Sequence, residues 1–155
     1  MAMLAPLLPT GMRLAYGMLR NSHEAEDAVQ DAAFKAWRSA ARFRRDADPR
    51  PWFLTIVANE CRQRLRSRWW SVSKVTDMPQ ASGFGSEVDE EAADLRSALR
   101  RLPADMRLVL VLRYYLDLPF DKIARTLKCS PQAAKSRTHR ALQRLRVEVP
   151  KELDT

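Results

Sequence analysis

One stretch of the chain carries residue types suited to reading duplex DNA. Residues 130–146, SPQAAKSRTHRALQRLR, predict one helix that has five Lys or Arg and no acidic residue. Ser130 can cap its N-terminus, and Pro131 fits the first turn, where a missing N–H loses no hydrogen bond. An apolar side for docking is formed by Ala134, Thr138, Ala141, Leu142 and Leu145. The residues that could meet a groove or its phosphates are Gln132, Lys135, Ser136, Arg137, His139 and Arg140.

A second row of side chains is suited to unpaired bases. In a helix predicted from Pro51 to about Arg68, one face carries Trp52, Thr55, Asn59, Gln63 and Arg66, with Arg62 beside it. A ring can stack on a base, an amide can read a base edge, and a guanidinium can hold a phosphate. The arginines of the preceding loop, RFRRDADPR, favour single-stranded DNA as the ligand. The alternative is a core tryptophan beside an ordinary solvated basic face.

The helix before that loop has the opposite charge on its polar face. Asn21 or Ser22 caps this helix, and one side of it presents Asp27, Gln30, Asp31 and Phe34. Acidic side chains repel DNA, so we expect this side to bind protein, with Phe34 as the anchor. An ordinary solvated face with one exposed aromatic is the competing interpretation. The buried stripe of this helix is predicted to contain Ala25, Ala28, Val29, Ala32, Ala33, Ala36 and Trp37.

Composition favours a binding protein over an enzyme. The 155 residues suffice for one ordinary or two small domains, and a net charge of +8 with a pI near 10.1 favours an anionic partner. The only histidines, His23 and His139, have no carboxylate at a useful spacing, so we predict no catalytic residue. Cys61 and Cys129 form no CxxC and are expected to be small buried thiols. No metal site and no cofactor are predicted.

The chain is predicted to be all-α, with two small helical domains and a flexible linker. Helical periodicity marks residues 12–19, the Asn21-capped helix and the helix that starts at Pro51, and these make a first domain over residues 1–70. Residues 71–90 are rich in Ser, Gly, Pro and acids and are expected to form the linker. Residues 91–149 should hold a buried helix over residues 106–116 and a helix-turn-helix. No secretory signal or membrane span is evident, and we expect a cytoplasmic protein.

Three segments together resemble one known family. They are HEAEDAVQDAAFKAW (residues 23–37), FRRDADPRPWFLTIVAN (43–59) and the stretch from LRRLPADMR to ALQRLR (99–146). In this order, with a linker between the last two, the chain resembles the extracytoplasmic-function group of bacterial RNA polymerase sigma factors. The resemblance implies a promoter-specificity subunit that binds core polymerase, recognises minus-thirty-five and minus-ten elements and stabilises promoter melting.

The resemblance also implies roles for individual residues. Asp27, Gln30 and Asp31 would contact the beta-prime subunit, Trp52 would lie beside the melted promoter, and Asn59 would occupy the base-reading position. Lys135, Ser136, His139 and Arg140 would face the minus-thirty-five groove or its phosphates. The implied partners are the beta-prime and beta subunits of core polymerase, promoter DNA and an anti-sigma factor.

A free-standing helix-turn-helix transcriptional regulator is the alternative function. It would account for the C-terminal half of the chain. It would leave the face around Asp31 and the row that contains Trp52 and Asn59 without a role.

Overall fold

The protein is all-α throughout the residues described in this computed structural model, which are 3–43, 46–72 and 90–148. Its α-helices are α1 (Leu8–Leu19), α2 (Ser22–Ser39), α3 (Pro49–Val72), α4 (Glu90–Arg101), α5 (Ala104–Leu110), α6 (Phe120–Leu127) and α7 (Pro131–Glu148). Short 3-10 turns precede α1 and follow α2, and a π-helical turn, Val111–Tyr115, continues α5. The predicted fold class is confirmed for this part of the chain.

Helices α1, α2 and α3 pack on one another as a three-helix unit. Its centre contains Leu14, Met18, Phe53 and Val57, all fully buried. Gly11 lets α1 approach α3 closely, because a Cβ at this position would lie 2.8 Å from Cε1 of Phe53. The helix boundaries differ from the prediction, since α1 begins at Leu8 rather than Met12 and α3 spans Pro49–Val72. Most of the predicted linker, residues 73–89, lies outside the described residues.

Helix α2 confirms its predicted cap and most of its predicted stripe. The Asn21 side chain accepts a hydrogen bond from the Glu24 backbone N–H at 3.0 Å. The buried residues are Ala25, Ala28, Val29, Ala32 and Ala36, whereas Ala33 is half-buried. The prediction for Trp37 was wrong, since its side chain is 54% exposed. Ala side chains along a helix let its neighbours pack closely, and an indole needs more room than such a stripe provides.

Helices α5, α6 and α7 form the second unit, which contains the predicted helix-turn-helix. The turn between α6 and α7 passes through Lys128, whose φ of 56° is left-handed. The Ser130 hydroxyl then accepts the Ala133 backbone N–H at 3.1 Å, which confirms the predicted cap of α7. Ala134, Thr138 and Ala141 are buried, so the predicted docking side is confirmed. The buried helix predicted over residues 106–116 is split, because α5 ends at Leu110 and continues as the π turn.

The two units pack directly on each other. Arg107 of α5 is buried, and its guanidinium donates to the backbone oxygens of Met18 at 2.9 Å, Leu99 at 3.0 Å and Arg100 at 2.6 Å. Burial lowers the pKa of Arg107, and the positive charges of Arg68 and Arg100 lower it further. This one side chain therefore joins the end of α1 to the end of α4.

Candidate nucleic-acid interface

The predicted base-reading row begins at the N-terminal end of α3. Trp52 stacks on Phe43 of the preceding loop, with ring centroids 4.6 Å apart and an interplanar angle of 25°. Trp52, Thr55 and Asn59 line one cavity of about 730 Å³, and Trp52 remains partly accessible. The far wall of this cavity is formed by Arg125 of α6 and Lys128 of the turn that follows it.

The helix-turn-helix unit contacts this row directly. The Thr55 Oγ1 lies 2.8 Å from the backbone oxygens of both Pro51, on its own helix, and Thr126, on α6. A hydroxyl has one proton to donate, so these two oxygens share one donor. Lys122 of α6 pairs with Asp48 at 2.8 Å. The hydrogen bond from Lys122 lowers the pKa of Asp48, and the Arg50 backbone N–H lowers it further.

Arg62 belongs to the same contact region. Its Nε donates to Asp105 of α5 at 3.0 Å, and its NH1 donates to the side-chain oxygen of Asn59 at 3.1 Å. Arg62 also lines a cavity of about 420 Å³ together with Arg137 and Arg140 of α7. Three of the predicted DNA-binding arginines therefore lie around one cavity, although Arg62 belongs to the first unit and the other two to the second.

The structure separates two residues from the rest of the predicted row. Gln63 lines a different cavity, of about 350 Å³, with Asp31 and Phe34 of α2. Arg66 is exposed and lines neither this cavity nor the one at Trp52. Trp52, Thr55, Asn59 and Arg62 are thus the members of the row that the fold brings together against α5 and α6.

The predicted polar face of α7 is exposed. It comprises Gln132, Lys135, Ser136, Arg137, His139 and Arg140, none of which is buried. Helix α7 is held from behind by its contacts with α5 and α6. A helix supported in this way, with Arg, Lys and Gln projecting outwards, has the geometry of a helix that enters a major groove.

The predicted protein-binding face of α2 is also exposed. It consists of Asp27, Gln30, Asp31 and Phe34, and the Phe34 side chain is 56% exposed. Trp37 extends this face, since its ring centroid lies 6.2 Å from that of Phe34. Trp37 was not predicted as part of this face, because the sequence pattern placed its indole in the hydrophobic core. The spacing does indicate this position, since residues 34 and 37 are three apart and therefore share a helical face.

Comparison with known proteins finds a matching family for each of the two predicted domains. Family models for Sigma-70 region 2 and for Sigma-70, region 4 match residues 3–71 and 92–145. The chain is 35% identical over 134 residues to the ECF RNA polymerase sigma factor SigM of Mycobacterium tuberculosis. This match covers 86% of this chain and 68% of SigM. It belongs to the extracytoplasmic-function sigma factors of bacterial RNA polymerase.

Two further relatives agree with this assignment. The sigma factor SigV of Bacillus subtilis is 28% identical over 144 residues, a match that covers 90% of this chain and 84% of SigV. The sigma factor RpoE of Bartonella quintana, solved in complex with the anti-sigma factor NepR, superposes with a TM-score of 0.69 at 27% identity. That superposition covers 94% of this chain and 92% of RpoE.

The sigma-factor assignment confirms the predicted function as a promoter-specificity subunit of RNA polymerase. Matches to region 2 and region 4 together do not favour a free-standing helix-turn-helix regulator. Within the described residues, no helix is long and apolar enough to cross a membrane.

Proposed function

We propose that three surfaces of this sigma factor, on α2, α3 and α7, divide promoter recognition among themselves. The α2 face binds core polymerase, the row on α3 holds minus-ten bases, and the α7 face reads the minus-thirty-five duplex. Residues 1–70 and 91–149 act as the two DNA-binding domains, with residues 71–90 as the linker. The observation that carries this proposal is that Trp52, Thr55 and Asn59 lie side by side on one cavity wall.

The α3 row provides what an unstacked base needs. Trp52 is held by Phe43 at a stacking distance, and its partly accessible ring can take a base. Each base stacked on an aromatic ring contributes about 1–3 kcal/mol, which offsets the few kcal/mol that unstacking requires. The Asn59 amide can read a base edge and Arg62 can hold a phosphate, whereas Gln63 and Arg66 would bind DNA only at the margin of this site.

The α7 face would combine base and phosphate contacts. Arg140 or Arg137 can form a paired hydrogen bond to guanine, and Gln132 can do so to adenine. Lys135, Ser136 and His139 can contact phosphates or base edges beside them. These roles are supported by the exposure of all six side chains on a helix whose other side is buried.

The packed arrangement of the two units would have to open before minus-ten DNA could bind. The α6 backbone and the Lys122 side chain occupy the space in front of the α3 row, at Thr55 and Asp48. A nucleic-acid strand on Trp52 and Asn59 would need the same space. We infer that this arrangement belongs to the DNA-free protein and that binding to core polymerase moves α6 away from α3.

Its partners and setting follow from the same proposal. Core polymerase would approach the α2 face through its beta-prime subunit, and the beta subunit would meet the second domain. An anti-sigma factor would hold the protein inactive, which is supported by the similar sigma factor solved in complex with NepR. The protein would catalyse no reaction, need no metal or cofactor, and act in the cytoplasm.

Transcription in vitro from a promoter library tests the proposal. Purified core polymerase is combined with the wild-type chain, Asn59→Ala or Arg140→Ala, on templates randomised at both elements. We expect Asn59→Ala to change the base preference at minus ten alone and Arg140→Ala to change it at minus thirty-five alone. Unchanged preferences for both variants would contradict the assignment of the two surfaces.

A further inference from the structure

A network of charged side chains joins α2 to α3 behind the proposed core-binding face. At its centre is Glu60 of α3, whose side chain is only 5% exposed. One carboxylate oxygen of Glu60 pairs with Lys35 of α2, and the other accepts from NH1 of Arg64 at 3.0 Å. A buried carboxylate restrains both of its partners, because a partner that moves away leaves one buried oxygen without its hydrogen bond.

Arg64 connects this buried carboxylate to an exposed one. Its NH2 donates to Oδ2 of Asp31 at 2.6 Å, while its NH1 remains on Glu60. Burial works against the charged form of Arg64, but the hydrogen bonds that its guanidinium donates to Asp31 and Glu60 outweigh burial and raise its pKa. The planar guanidinium therefore acts as a rigid bridge between an anchored acid and Asp31.

Asp31, at the exposed end of this bridge, lies on the proposed core-binding face. Its side chain is 60% exposed, and it lies on the rim of the cavity of about 350 Å³ that Phe34, Gln63 and Arg64 also line. Since Arg64 takes Oδ2, the other carboxylate oxygen can accept a donor from a partner protein. The orientation of that oxygen is therefore set by Arg64 of α3, and not by α2 alone.

We propose that Arg64 is a positioning residue for core binding, because it holds the Asp31 carboxylate in the orientation in which that carboxylate meets a donor group on core polymerase. The inference rests on the proposed core-binding role of the α2 face. An exposed ion pair without an anchor holds its side chains in place only weakly. Arg64 differs because the buried Glu60 fixes one end of its guanidinium.

A double-mutant cycle measured in core binding tests this role. The affinity of fluorescently labelled sigma chain for purified core polymerase, with no DNA present, is measured for wild type, Arg64→Gln, Asp31→Asn and the double variant. The melting temperature of each variant is measured alongside, because removing Arg64 also leaves Glu60 with one partner fewer. Glu26→Gln, on an exposed part of α2, serves as the charge-matched control and should leave the affinity unchanged.

The two backgrounds are expected to respond differently. Arg64→Gln should weaken core binding about threefold to tenfold in the wild-type chain and hardly at all when Asp31 is already Asn. Equal losses in both backgrounds would overturn the positioning role, since Arg64 would then act through the stability of the fold. If Asp31→Asn alone left the affinity unchanged, the assignment of Asp31 to the core-binding face would fail, and the positioning role with it.

Discussion

The Thr55 hydroxyl lies 2.8 Å from the backbone oxygen of Thr126, which joins the proposed base-reading helix α3 to helix α6 of the second domain. These residues are 71 positions apart in the chain. Around this hydrogen bond, Asp48 pairs with Lys122 and Arg62 pairs with Asp105. The second domain and a melted DNA strand therefore compete for the same side of α3. A mutation that weakens the contact of α3 with the second domain should strengthen its binding of DNA.

Gly17→Ala should open the packed arrangement without unfolding either domain. A Cβ at Gly17 of α1 would lie 2.8 Å from Cγ1 and 3.2 Å from Cγ2 of Val111, so the π turn must move away. We expect the free chain to bind a single-stranded minus-ten oligonucleotide about threefold to tenfold more tightly, as measured by fluorescence anisotropy. Gly11→Ala is the matched control, because its clash with Phe53 lies within the first domain. The control should lower the melting temperature without increasing DNA affinity, and an equal gain for both variants would contradict the explanation.

Arg107→Met should destabilise the packed protein. The substitution removes the donor for the backbone oxygens of Met18, Leu99 and Arg100, which are left with fewer hydrogen bonds. We expect the free energy of unfolding to fall by about 2–4 kcal/mol, as measured by urea denaturation. Arg113→Met, which removes a single donor to Leu118, should have a smaller effect. A loss for Arg107→Met no larger than that of this control would mean that Arg107 does not join the two units.

Trp37→Ala should weaken binding to core polymerase, although Trp37 lies outside the hydrophobic core of the domain. Its indole is 54% exposed and lies beside Phe34 on the α2 face. Truncating a large aromatic residue at a protein interface raises the dissociation constant by about tenfold or more where it acts as an anchor. The melting temperature should change little, since the indole lies outside the buried core of the first domain. Wild-type affinity for core polymerase in this variant would exclude Trp37 from the interface.

The two thiols should differ in reactivity. Burial raises the pKa of Cys61 to about 12, whereas Cys129 is half-buried in the turn before α7. Because the thiolate is the reacting species, Cys129 should be labelled first by a thiol reagent at pH 8, and Cys61 only after unfolding. Because the folded pKa of Cys61 exceeds its ordinary value of 9.0, its contribution to stability is complete below pH 9 and is lost as the pH rises to about 12. Equal labelling rates of the two thiols in the native protein would contradict the burial of Cys61.

The local features of this fold could be predicted from the sequence, whereas its long-range contacts could not. Helical periodicity and short-range caps identified α2 and α7, including the caps at Asn21 and Ser130, because these depend on residues within one turn. The displacement of Trp37 from the core depends on how closely neighbouring helices approach. The contact between Thr55 and Thr126 depends on the packing of two domains, and no pattern within either segment indicates it.

In the candidate site, too, the contacts within one helix were predictable and those between helices were not. Trp52, Thr55 and Asn59 share the cavity that their spacing indicated, because all three lie within about two turns of one helix. Gln63 follows the same spacing, but it lies where α2 crosses α3 and lines the cavity with Asp31. The crossing of two helices divides a face that is continuous in the sequence.

The central claim is that α6 and minus-ten DNA compete for the same face of α3. The distance between the two domains, measured with and without core polymerase, tests it most directly. Donor and acceptor dyes are attached through cysteines introduced at the exposed residues Glu26 and Gln143, with Cys129 replaced by Ser. We predict high energy transfer in the free chain and a clear fall when the transcriptionally active holoenzyme forms. Energy transfer that stays high in a holoenzyme able to melt its promoter would contradict the account.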